Sequence, residues 1–177
     1  MNLYHFILTL DGVTSQTPGL EDTLFESGCD DALVCFYGQS VYLEFDRESA
    51  NFRQAVLSAI ADIESATINA KVLSVDSILV GLSDIAAAAN LSRQAITMLK
   101  DGTRGTGDFP SPLQRLKGTS PLWSWASVAD WLYRKGKITR ELAINAQEME
   151  EINLALQLRT LKAHSNVEAL IQQLARD

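Results

Sequence analysis

Arg93, Gln94, Thr97 and Met98 recur at the spacing that brings side chains to one exposed face of a helix, in a segment running from Ser92 to Lys100. Their chemistry is hydrogen bonding and apolar contact, not bond making. A guanidinium such as that of Arg93 can meet guanine through two parallel hydrogen bonds, a carboxamide such as that of Gln94 can do the same for adenine, and Thr97 or Met98 can touch a thymine methyl. Ser92, as the helix cap, can reach a phosphate or a base beside backbone amides at the positive end of the helix dipole. Lys100 and Arg104 come at the helix end and in the next loop, where phosphate is the nearer target. Arg115 and Lys117 lie in a later stretch suited to gripping the backbone or the minor groove, with a solvated turn as an equal alternative.

Other chemistry is poorly served. Gly28-Cys29-Asp30-Asp31 and Asp46 bring together a thiol and carboxylates without a histidine or lysine to complete an acid–base pair, so a helix stop and a solvated acidic turn is the plainer reading. Cys29, Cys35, His5 and His164 show no paired-ligand spacing, which leaves no metal and no cofactor expected and both cysteines as free thiols. The stretch from Gly102 to Gly107 lacks the Gly-Lys-Ser/Thr ending of a phosphate loop and reads as a connector. No enzyme is expected.

The elements that must hold the four outward side chains are two short helices. Ser83 is placed to cap the first, with Ile85 and Ala89 inward and Ala86 small enough for close crossing. Asn90 takes the sharp turn, Leu91 fills the corner, and Ser92 caps a second helix that buries Ile96 and Leu99 before Gly102 stops it. Charge agrees with this placement. The 177 residues carry a net charge of −7, but residues 1–80 hold −9, residues 81–140 hold +5 and residues 141–177 hold −3. An acidic chain thus has a basic middle.

The run Asp84-Ile85-Ala86 followed by Leu91-Ser92-Arg93-Gln94-Ala95-Ile96, with Asn90 in place of the usual glycine, resembles the helix-turn-helix of bacterial transcription regulators. With Phe109-Pro110-Ser111-Pro112, Leu113 to Gly118 and Leu122 to Leu132, the likeness extends to the winged helix-turn-helix of excisionase-like and MerR-like DNA-binding domains. The whole chain resembles bacterial DNA-binding proteins that place a small acidic domain ahead of this module. The resemblance implies a wing hairpin around Arg115 and Lys117 and a partner in double-stranded DNA. Trp123, Trp125 and Trp131 read as core of that module. The alternative is a pair of helices that merely pack.

Ahead of the module, Leu3–Leu10 alternates as a strand with Tyr4, Phe6, Leu8 and Leu10 on one face, and Leu20–Glu26 fits a helix with Leu20, Leu24 and Phe25 inward. Ala32–Tyr37 and Val41–Phe45 read as a hairpin, Ser49 as the cap of a helix from Ala50 to about Ser65, and Lys71–Val75 as a last strand. Strand, helix, strand, strand, helix, strand is the ferredoxin-like βαββαβ order, giving an α+β class. Behind the module, Thr139 caps a helix from Arg140 to about Ala163, with a stripe of Leu142, Ala146, Met149, Ile152, Leu156 and Leu161 that Asn145 and Asn153 interrupt. A last helix starting at Ser165 or Asn166 carries a second stripe of Val167, Leu170, Ile171 and Leu174.

The expected organisation is therefore residues 1–78 as a ferredoxin-like acidic domain, 79–137 as a winged helix-turn-helix, and 138–177 as a helical tail. The tail stripes suit packing on the chain itself or a homodimer, which would read two half-sites. No run is long enough for a membrane and the N-terminus lacks a signal, so a cytoplasmic transcriptional regulator is expected. The alternative function is a protein-interaction adaptor whose acidic domain and tail bind a protein partner.

Overall fold

The structure, a computed structural model, describes residues 1–161 and 166–175. The expected helix end at Ala163, the cap at Ser165 and His164 lie outside the described residues. The chain is mixed α+β, and it divides into two compact units, residues 1–76 with 151–177, and residues 77–150. The tail therefore makes no unit of its own. No helix among the described residues is long and apolar enough to cross a membrane.

The first unit holds β1 (Asn2–Asp11), α1 (Leu20–Glu26), β2 (Ala32–Tyr37), β3 (Ser40–Ser49), α2 (Phe52–Ser65) and β4 (Lys71–Val75). Its antiparallel sheet has the strand order β2-β3-β1-β4. Alternation drives this layer: Tyr4, Phe6, Leu8 and Leu10 of β1 and Val41, Leu43 and Phe45 of β3 are all buried, and Phe6 stacks on Phe45 at 5.2 Å. The helical period of α2 supplies the other half of the core with Phe52, Ala55, Val56, Ala59, Ile60 and Ile63. Each large apolar side chain so buried contributes about 1.5–3 kcal/mol. Tyr37 pairs with Ser40 across the two-residue turn Gly38-Gln39, and Gly38 takes φ 62°, which glycine accepts without a Cβ clash.

Four expectations are corrected here. Phe25 is exposed, because it lies about 100° around α1 from the buried Leu24. The cap of α2 is Asn51, whose side chain accepts the Gln54 N–H, while Ser49 is spent at the end of β3 opposite Asn2. The turn after α1 is solvated only in part: Gly28 and Asp30 are exposed, but Asp31 holds Arg47 and Cys29 is buried. The guanidinium of Arg47 donates to both Asp31 oxygens at 2.7 and 2.9 Å, to Asp62 at 2.7 Å, to Ser58 and to the Gly28 carbonyl, and it sits 5.0 Å from the centre of the Phe45 ring. The Asp31 hydrogen bonds, with those of Asp62, hold its proton more tightly than usual despite burial. The Cys29 thiol is pushed up to about 11 by burial, which keeps it protonated and inert.

Asn153 gives the fourth correction. It belongs to α6 (Arg140–Leu161), where it is buried, and its carboxamide accepts the Val75 N–H at 3.0 Å and donates to the Val75 carbonyl at 2.7 Å. Arg159 adds a two-pronged contact to Glu64 at 3.0 and 2.8 Å and a bond to the Val72 carbonyl, and Glu64 accepts the Val72 N–H. The outer edge of β4 is thus closed by side chains in place of a fifth strand. Burial along α6 covers Ala143, Ala146, Met149, Ile152 and Leu156, but Leu161 is exposed. In α7 (Val167–Leu174) no residue is fully buried: Val167 is half-buried, and Leu170, Ile171 and Leu174 are exposed.

The second unit holds β5 (Leu79–Val80), α3 (Leu82–Ala88), α4 (Arg93–Lys100), β6 (Trp123–Ser124), α5 (Trp125–Arg134) and the first half of α6. Strands β5 and β6 form a two-stranded antiparallel sheet. Its core gathers Ile85, Ile96, Leu99, Trp123, Trp131 and Leu132.

Candidate nucleic-acid interface

Helix α3 begins at Leu82, one residue before the expected cap. Gly81 is the N-cap, and its N–H is taken by the Asp84 carboxylate at 2.8 Å, so Ser83 lies inside the first turn and caps nothing. Ile85, Ala86 and Ala89 are buried, and the small Ala86 and Ala89 let α4 approach. Asn90 takes the turn at φ 51°, in the left-handed region, and the next N–H, of Leu91, donates to the Ala86 carbonyl at 2.9 Å. Leu91 is half-buried in the corner.

Ser92 caps α4, its Oγ accepting the Ala95 N–H at 3.1 Å, which leaves the hydroxyl hydrogen free to donate. Ile96 and Leu99 turn inward, and Arg93, Gln94 and Met98 turn out to solvent. Thr97 is half-buried and its hydroxyl donates to the Arg93 carbonyl at 3.0 Å, so its methyl is the part left for contact. Lys100 is half-buried and paired with Asp101. Arg104 is exposed, and its backbone N–H donates to the Met98 carbonyl at 3.1 Å, folding the loop against the last turn of α4.

The loop that follows is tied down by aromatic side chains. Trp131 Nε1 and Lys135 Nζ both donate to Asp108, at 3.2 and 2.9 Å, and Trp123 Nε1 donates to the Pro110 carbonyl at 2.9 Å. Phe109 packs edge-on against Trp123 and Trp131. Hydrogen bonds from Thr106, then Lys135, hold the Asp108 carboxyl well below the usual carboxylate range. Lys135, one of the basic residues of the middle segment, is therefore consumed in anchoring.

The wing region is slighter than a hairpin of two strands. One antiparallel bridge, Gln114 with Leu122, closes it, and Arg115 sits at φ 56° in a turn where its carbonyl accepts the Gly118 N–H. Leu122 is followed at once by β6, whose pairing is with β5, so the strand direction is spent there. Arg115 and Lys117 are exposed, and no hydrogen bond or ion pair among the described residues joins them to α4.

Ser92, Arg93, Gln94, Thr97, Met98 and Lys100 thus lie on or at the cap of α4, Arg104 lies in the loop folded against its last turn, and Arg115 and Lys117 belong to a separate loop. Lys100, Arg134 and Lys135 each have an acidic partner. Arg93, Arg104, Arg115, Lys117, Lys137 and Arg140 have none among the described residues. Lys137 and Arg140 are basic residues of the same unit outside the expected set, and the local charge count already includes them. The second unit carries nine basic and seven acidic residues, and the first carries the whole excess of acid, −9. No protein-family model matches the chain, and neither a curated protein nor a solved structure was found that matches it.

Proposed function

We propose that this chain is a sequence-specific, double-stranded-DNA-binding protein that acts as a transcriptional regulator by occupying its site, with α4 entering the major groove. The observation that carries the reading is the N-terminal half of α4, where Arg93, Gln94 and Met98 are exposed beside a capped helix start, above a core of Ile85, Ala89, Ile96 and Leu99. The left-handed Asn90 between the two helices supports the helix-turn-helix reading, and the Gln114–Leu122 bridge supports a short wing. The βαββαβ element order with strand order β2-β3-β1-β4 supports a ferredoxin-like first unit. Exposed Leu170, Ile171 and Leu174 of α7 support a protein contact made by the tail.

Titrating the chain onto duplex DNA at rising salt tests this directly, because released counterions make affinity fall with a log–log slope of about 0.9 per phosphate contact. Arg93→Ala is expected to cost about 1–3 kcal/mol and to relax base preference at one position, whereas Lys117→Ala lowers the salt slope by about one and leaves preference intact. No binding at low salt overturns the proposal.

A further inference from the structure

The two edges of the four-stranded sheet are treated differently. At β4 the outward backbone groups are taken by Asn153, Glu64 and Arg159. At β2 no strand or side chain closes the edge among the described residues. The Asp46 N–H donates to the Asp31 carbonyl, so the odd-numbered residues of β2 face β3, and Val34 and Phe36 direct their N–H and C=O groups outward. The strand reads Ala-Leu-Val-Cys-Phe-Tyr, with no charge and no proline, and Leu33, Phe36 and Tyr37 are 63%, 42% and 85% exposed. Uncharged, apolar, unpaired edges of this kind pair with another strand.

We propose that β2 pairs antiparallel with β2 of a second copy across a two-fold axis at Cys35. Hydrogen-bonded pairs must join outward-facing residues of both strands, so Val34 lies opposite the partner's Phe36, and Cys35 falls opposite the partner's Cys35 in a non-hydrogen-bonded pair. In this register Leu33 meets the partner's Tyr37, and Asp31, already neutralised by Arg47, meets the partner's Gln39, so no acid faces an acid. The seam itself thus sets no like charges against each other, although the first unit as a whole is acidic, and closure suits a second copy. The joined sheet would have eight strands and end on both sides at a β4 edge already sealed by Asn153, which allows a dimer and stops further growth.

Sedimentation of the full chain tests it. The unaltered chain is expected to dimerise, and Leu33→Lys with Tyr37→Lys, which sets like charges opposite each other twice, to weaken the dimer about tenfold or more with an unchanged far-ultraviolet circular dichroism of the folded chain. Val34→Pro removes an outward N–H and keeps the β3 ladder, so it is expected to give a folded monomer, and if it does not fold the double lysine variant decides. Opposed cysteines with Cα atoms about 4.5 Å apart are within reach of a disulfide. Diamide, taking one hydrogen from each thiol, is expected to link two chains through Cys35 and to fail with Cys35→Ser. A chain that stays monomeric overturns the proposal, as does a dimer indifferent to the lysine variant or one lost only on Ile171→Asp in α7.

Discussion

Replacing Asn153 by alanine leaves the N–H and the C=O of Val75 without partners in a buried place, because the one carboxamide satisfies both. Two orphaned backbone groups cost more than the hydrogen bonds are worth in water, and the variant is expected to lose about 2–4 kcal/mol, measured by urea unfolding. Unchanged stability would mean that water or a shifted helix replaces the carboxamide. Arg47 survives burial by the same logic, with its guanidinium donors directed at two carboxylates, a hydroxyl and a carbonyl. Neither role is visible in the sequence. Asn153 reads there as a flaw in an apolar stripe, since its partner lies 78 residues away, and Arg47 reads as one of three cations in an acidic segment.

At the scale of elements, periodicity carried what the sequence could tell. β1, β2, β4 and α1 stand at or within a residue of their expected limits, because alternation and the 3.6-residue repeat act within one segment. Caps moved by two residues, from Ser49 to Asn51 and from Ser83 to Gly81, because a serine already in a ladder or a first turn is unavailable. The two-residue strands β5 and β6 are too short to have a period, and their pairing, across more than 40 residues, replaces the expected second wing strand. The exposed face of α4 was legible, whereas the pairing of Lys100 with Asp101 and of Lys135 with Asp108 required the fold. Glu64 joins three elements, accepting from Val72 of β4 and from Arg159 of α6. Burial works to raise its carboxyl, but the Val72 N–H and the Arg159 guanidinium outweigh it and hold it below its ordinary value of 4.5. A carboxyl lowered on folding stabilises fully above its unfolded value, and that contribution is lost as pH falls through the folded one. The stability difference between the unaltered chain and Glu64→Gln is therefore expected at neutral pH and should vanish under acid, measured by denaturant unfolding across pH. A difference that persists at the lowest pH would assign the effect to packing.

For the whole molecule, the separation of charge gives its two proposed associations opposite responses to salt. The first unit holds an excess of nine acidic groups, so two copies meeting at β2 repel one another over the range that ions screen, about 10 Å at 0.1 M salt. Raising salt removes that repulsion and leaves the uncharged strand pairing untouched, so the dimer should tighten. The proposed DNA contact rests on Arg93, Arg104, Arg115 and Lys117, which have no acidic partner among the described residues, and the same salt would restore counterions to the phosphates and weaken it. Sedimentation and fluorescence anisotropy on one salt series should therefore give slopes of opposite sign. If both associations weaken, the dimer is held by opposite charges and β2 is not its seam. If both strengthen, the contact with DNA is not made through phosphates, and the basic surface around α4 must serve another purpose.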